Sequence, residues 1–96
     1  MKTIGKKGKD SLEFNGPCDI CYNRRDNNLY VPDQNNHRIQ VLTTDFTFVQ
    51  CFGIWSSVNG AFQKPLCVAF DSANNLYVTE QGINRIQVFS PNGKFM

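Results

Sequence analysis

Asn27-Asn28-Leu29-Tyr30-Val31 and Arg38-Ile39-Gln40-Val41 return later in the chain as Asn74-Asn75-Leu76-Tyr77-Val78 and Arg85-Ile86-Gln87-Val88. Across residues 27–48 and 74–95, eleven of 22 positions are identical at an offset of 47. A fixed period of this size is the signature of a repeat architecture. Such repeats bury a face only against their neighbours, and about three or more are usually needed for stability. The 96 residues hold two copies. The expectation is therefore a piece of a larger assembly.

The front halves of the copies match more weakly. Residues 4–23 align with 52–71 at an offset of 48, keeping Gly5/Gly53, Phe14/Phe62 and Pro17/Pro65. The one-residue change of register falls near Arg24 and Arg25. A turn absorbs an extra residue, whereas a slip inside a strand would send every side chain to the other face. The offset change itself thus marks a loop.

Each copy reads as four short strands. Cys18, Ile20 and Tyr22 alternate with Asp19 and Cys21, and Leu66, Val68 and Phe70 keep the larger apolar residues on one face in the second copy. That is period-two patterning. Residues 24–28, shortened to 72–75, are a turn by composition. Second strands follow at 29–33 and 76–80, and third strands at 38–43 and 85–90. The intervening loops, 34–37 and 81–84, have a length that suits a hairpin. Turns return at 44–47 and 91–94, where Asn92-Gly93 is a strong signal. A fourth strand is expected at 47–52, and its counterpart would only begin at Phe95-Met96. No segment shows sustained helical periodicity. Four antiparallel strands per repeat is the arrangement of a β-propeller blade.

Asp33 and Arg38 flank the first hairpin loop, and Glu80 and Arg85 flank the second. In a hairpin these positions are cross-strand neighbours, where opposite charges favour the register by about 0.2–1 kcal/mol. The acid changes identity while the sign is kept. A structural ion pair is the expectation; the alternative is an arginine presented to a ligand.

Composition places the chain among ordinary soluble globular sequences, at 41% hydrophobic and net charge +2. A charge of this size does not by itself imply nucleic acid. No apolar run approaches the ~18 residues of a membrane helix. The first five residues lack the apolar core of a secretory signal. Lys2, Lys6, Lys7 and Lys9 fall within ten residues, either as a solvated end or as a phosphate-contacting edge. Cys18-x-x-Cys21 has metal-ligand spacing, but residues three apart on a strand point to opposite faces. With Cys51 and Cys67 they read as free thiols acting as small apolar packers, which favours a reducing, cytoplasmic compartment. His37, the single histidine, sits in a loop with no cysteine at ligand spacing. No phosphate loop or catalytic constellation stands out. Binding is the better expectation, because loops carry function. Trp55 lies in the segment joining the copies, placed either to stack a base or to pack against the neighbouring repeat. Arg24 and Arg25 are the next exposed cations, either solvated or ligand-facing.

Tyr30-Val31-Pro32-Asp33 leading to Asn36-His37-Arg38-Ile39-Gln40-Val41 resembles the NHL repeat, in which a Tyr-Val-x-Asp strand leads into an Asn-His-Arg-Ile-Gln-Val-Phe strand. Tyr77-Val78-Thr79-Glu80 and Asn84-Arg85-Ile86-Gln87-Val88-Phe89 match again. The family's inter-blade segment, Phe-Gly followed by a Gly-rich stretch ending in Phe-x-x-Pro, is matched by Phe52-Gly53 with Phe62 and Pro65, and by Ile4-Gly5 with Phe14 and Pro17. The departures are Asp19 and Cys67 where glycine is frequent, Pro32 where a small residue is usual, and Glu80 for Asp. Pro32 removes a ladder N–H, so its strand should be bulged or solvent-facing there.

The resemblance implies an all-β chain of two NHL blades forming a partial β-propeller. The divisions are a tail at 1–3, a first repeat at 4–53, and a second repeat at 54–96 that lacks its last strand. It also implies a non-catalytic binding module, as in tripartite-motif (TRIM) ubiquitin ligases and RNA regulators, whose propellers bind RNA or protein. Ligase chemistry and zinc would then belong to RING and B-box regions outside these residues. Lys6, Lys7, Lys9, Trp55, Arg24 and Arg25 are the candidate ligand-face residues. Two other readings stand beside this one: a structural protein that completes a propeller by assembling copies, and a fragment of a lyase-like propeller enzyme. Fold alone does not choose among them.

Overall fold

The computed structural model describes residues 3–53 and 62–91. Two antiparallel sheets account for the fold, with no α-helix among the described residues. The first sheet runs in chain order through β1 (Cys21–Asn23), β2 (Asn28–Asp33), β3 (Arg38–Thr43) and β4 (Phe48–Phe52). The second is β5 (Pro65–Phe70), β6 (Leu76–Glu80) and β7 (Arg85–Phe89). These are the meandering hairpins that the repeat implies. The fourth strand of the second copy, Asn92-Gly93, Lys2 and Trp55 all lie outside the described residues.

The hairpin loops are closed in the same way in both copies. Gln34–Asn36 makes one 3-10 turn, closed by His37 in the left-handed region at φ 55. Asn84, its counterpart, sits at φ 53, and Asn27 and Asn74 close the preceding turns at φ 60 and φ 68. Asparagine is among the few non-glycine residues that tolerate this region.

Alternation then sorts the side chains by face. Cys21, Tyr30, Ile39 and Phe52 of the first sheet point toward Val68, Leu76, Val78 and Phe89 of the second, with Phe62 between them. Phe62 and Ile39 are fully buried there. Phe62 and Phe89 stack tilted, with ring centroids 5.7 Å apart, and Tyr30 meets Phe70 edge-on at 4.8 Å. Phe62 is seated by Gly53, whose φ of 114 and lack of a side chain leave room for the ring. Gly5, at φ 95, gives Phe14 the same seat.

The first strands differ from the simple alternating expectation. Pro17 pairs with Asp33 and Pro65 with Glu80, but each ladder then slips by one residue before resuming at Cys21 and Cys67 respectively. In the second copy the slip is a single bulge and the strand continues. In the first copy the ladder resumes only at Cys21, so β1 is three residues long. Pro32 lies opposite that interruption and has no N–H to donate. Thr79 stands at its position in the second copy, where the ladder resumes directly after the bulge, at Cys67. Ile20 and Tyr22, expected on an apolar face, are 55% and 48% exposed. Val68 at the Ile20 position is buried, because the first sheet packs on that face of the second. Cys21 packs against the core as expected, but Cys18, Cys51 and Cys67 are exposed thiols and not buried packers.

Candidate functional site

The most polar part of the interior is where each hairpin meets the segment that precedes its blade. Asp33 is fully buried. Its Oδ2 accepts hydrogen bonds from Arg38 Nε at 2.9 Å, Asn36 Nδ2 at 2.9 Å and Gln40 Nε2 at 3.3 Å, and its Oδ1 accepts the Asn15 backbone N–H at 2.7 Å. Arg38 spends its remaining donors on the same segment, reaching the carbonyls of Lys9, Asp10 and Glu13 at 2.7, 3.0 and 2.9 Å. Gln40 also accepts the Leu12 N–H at 3.0 Å. The second copy repeats the arrangement. Glu80 accepts the Gln63 N–H at 2.7 Å and Gln87 Nε2 at 2.9 Å, and pairs with Arg85.

The acid, arginine and glutamine of each repeat therefore form a clamp on the incoming linker. The expected pairs Asp33–Arg38 and Glu80–Arg85 face one another across their hairpins. With its guanidinium filled by Asp33 and three carbonyls, Arg38 is a structural residue. Gln40 and Gln87 were not singled out in the sequence, although both are identical at the repeat offset.

The candidate cations fall at two opposite ends. β2 runs from the turn end at Asn28 to the linker end at Asp33. Lys6, Lys7 and Lys9 lie exposed at the linker end, beside the hairpin loops. Lys6 Nζ is 3.5 Å from Glu13 Oε2 while its side chain stays 77% exposed. Lys7 and Lys9 make no ion pair among the described residues. Arg24 and Arg25 lie exposed in the β1–β2 turn at the other end, where Arg25 Nη2 reaches the Ser72 carbonyl at 3.5 Å. The six candidate ligand-face residues thus do not form one cluster, and Trp55 is not among the described residues.

Between the sheets at the turn end lies a cleft of about 440 Å³, lined by Asn23, Asp26, Tyr30, Gln50, Phe52 and Phe89 among others. The Tyr30 hydroxyl donates to Asp26 Oδ2 at 2.6 Å. Burial, and then that hydrogen bond, push the Tyr30 phenol well above its ordinary range. The Asn23 side chain opposes this shift, although its buried Nδ2 lies outside hydrogen-bonding geometry.

Several side chains stitch the sheets together. His37 Nδ1 accepts the Lys64 backbone N–H at 3.0 Å. Burial, and then the Lys64 charge, lower the His37 pKa. Cys18 Sγ donates to the Leu66 carbonyl at 2.8 Å, Asp19 Oδ2 accepts the Val68 N–H at 3.2 Å, and Gln34 bonds Gln81. Among the described residues no three His, Cys, Asp or Glu side chains gather as a metal site, and no helix is long and apolar enough to cross a membrane.

Residues 14–42 match the NHL repeat family. The chain carries the NHL repeat. The matched stretch runs from Phe14 through the strands that hold Asp33, Arg38 and Gln40, so it contains the whole first clamp from Asn15 onward. NHL repeat-containing protein 2 of Bos taurus is 38% identical over 66 residues, an alignment covering 69% of this chain and 9% of that relative. This chain thus corresponds to a small part of that relative's length. The NHL linker glycine, Phe and Pro are Gly5, Phe14 and Pro17 in the first copy and Gly53, Phe62 and Pro65 in the second. In structural terms they are the ring seat, the ring and the start of the strand ladder.

Proposed function

We propose that this chain is a non-catalytic binding module, two blades of an NHL β-propeller that recognises RNA or a protein through the linker end of its sheets. The repeat supports a binding role. The observation that carries the choice of end is the division of labour among the cations. Arg38 is consumed inside its clamp, whereas Lys6, Lys7 and Lys9 stand exposed beside the hairpin loops.

In the tripartite-motif reading the chain supplies recognition, and ligase chemistry sits in a zinc-bearing region outside these residues. The four free thiols favour a reducing, cytoplasmic setting for it.

Replacing Lys6, Lys7 and Lys9 together by Ala, in the complete propeller, is the decisive experiment. RNA binding should weaken, and its salt dependence should flatten, because a complex with fewer phosphate contacts releases fewer counterions. Unchanged affinity and salt slope would reject RNA at this end and leave a protein partner. If Trp55 stacks a base, Trp55→Ala weakens binding further, by about 1–3 kcal/mol.

A further inference from the structure

At the turn end of the molecule a cavity of about 360 Å³ opens between the two sheets. Its walls include Asn23, Arg24 and Arg25 from the first sheet and Phe70, Asp71 and Ser72 from the second. It meets the larger inter-sheet cleft at Asn23, Phe70 and Asn74, which line both. Asn23 ends β1 and is only 3% exposed. Its Oδ1 accepts the Arg25 backbone N–H at 2.9 Å, and this fixes the amide, because turning it over would set two donors against each other. The other side of the amide, Nδ2, is left to the cavities that Asn23 lines. It is buried and has no hydrogen-bond partner among the described residues. Buried polar groups are nearly always hydrogen-bonded, so an orphan donor in a cavity wall calls for an acceptor from outside the chain.

The charged groups around Asn23 narrow the choice of acceptor. Asp71 accepts the backbone N–H groups of Ala73 and Asn75, the Asn75 side-chain amide and the Tyr77 hydroxyl. Asp26 accepts the Asn28 N–H and the Tyr30 hydroxyl. Both acids are spent inside their own sheet. The arginines are not. Arg24 is exposed and makes no hydrogen bond or ion pair among the described residues. The exposed Arg25 guanidinium makes one long contact, at 3.5 Å to the Ser72 carbonyl. A guanidinium has donors and no acceptor, and its fork matches two oxygens of one anionic group. We propose that this cavity is an oxyanion site, where a carboxylate or phosphate of a small organic ligand accepts from Asn23 Nδ2 on its inner side and from Arg24 and Arg25 at the rim. Phe70 gives the ligand's carbon skeleton an apolar wall, and the volume is that of a small-molecule pocket. The site lies at the opposite end of the sheets from Lys6, Lys7 and Lys9 and does not rest on the linker-end reading.

Nuclear magnetic resonance of the isotope-labelled chain tests the proposal, by titration with inorganic phosphate and, separately, with acetate. Potassium chloride at matched ionic strength is the control. The Asn23 side-chain amide signal should shift saturably with phosphate or acetate and stay in place with chloride. A response to phosphate alone would assign the site to a phosphate ester, and a response to acetate would assign it to a carboxylate. Replacing Arg24 and Arg25 together by Gln removes the rim charge at two exposed positions and should leave the fold as it is. It should weaken the affinity by about tenfold or more, because charge-assisted hydrogen bonds are lost. An Asn23 signal that moves with neither anion, or as far with chloride, overturns the proposal. So does a double variant that binds as tightly as the parent. None of these outcomes bears on the lysine experiment, which reads RNA affinity.

Discussion

His37 shows how much a single position in a repeat can change its meaning. Its sequence position reads as a loop tip, and its counterpart Asn84 shares the left-handed backbone. In the folded chain it is a hydrogen-bond acceptor for the neighbouring sheet. Acceptance requires a neutral Nδ1, and the His37 pKa is lowered by burial and by Lys64. Between the folded and ordinary values the unfolded chain therefore binds more protons than the folded one, so stability rises with pH through that interval. Stability should be highest above the ordinary value near 6.5 and should fall as pH drops toward the folded value. His37→Asn keeps an acceptor and tolerates the backbone. It should lose this pH dependence, measured by urea midpoints from mildly acid to mildly alkaline pH. Because the chain has one histidine, a variant with the same slope as the parent would reject the assignment. The bond to Lys64 was not legible in sequence because its partner is a backbone group 27 residues away.

At the scale of elements, the clamp sets the energetics. Sequence pairing alone suggested about 0.2–1 kcal/mol for a cross-strand ion pair. Asp33 is instead fully buried, and its partners include a linker amide. Removing one member of a buried pair leaves the other uncompensated, which costs about 3–5 kcal/mol. Asp33→Ala and Arg38→Ala should each lower the unfolding free energy by that much, measured by urea titration, and the double substitution should cost much less than their sum. Additive losses would mean that the two side chains act independently. A second element-scale expectation concerns the linker. Gly53→Ala should destabilise by more than about 1 kcal/mol, since alanine is strained at φ 114 and its methyl meets the Phe62 ring. The second, third and fourth strands were readable from alternation and turn residues. The shortness of β1 was less so, because it depends on which neighbour stands opposite Pro32.

At the scale of the molecule, one apolar contact holds the two sheets together, with Ile39, Phe62, Val78 and Phe89 buried in it. Phe62→Ala should destabilise the fold by about 3–5 kcal/mol, read by urea unfolding. A loss under about 1 kcal/mol would mean that the ring does not join the sheets. The separation of the cations also belongs to this scale. Lys6, Lys7 and Lys9 gather at the linker end, while Arg24 and Arg25 mark the turn end, where Arg25 reaches the Ser72 carbonyl.

The sequence by itself determined the period, the strand order and the acid–arginine pairing, because these rest on alternation, turn chemistry and neighbours across one hairpin. All of these are local in the chain. Only the tertiary structure decided that Arg38 grips three linker carbonyls, that His37 serves the next sheet, and that Ile39 is buried while Ile86 is bare. Two residues of one type, at matching positions of one repeat, carry no mark of their surroundings. Burial depends on which sheet packs on that face, and that contact is made between residues far apart in sequence.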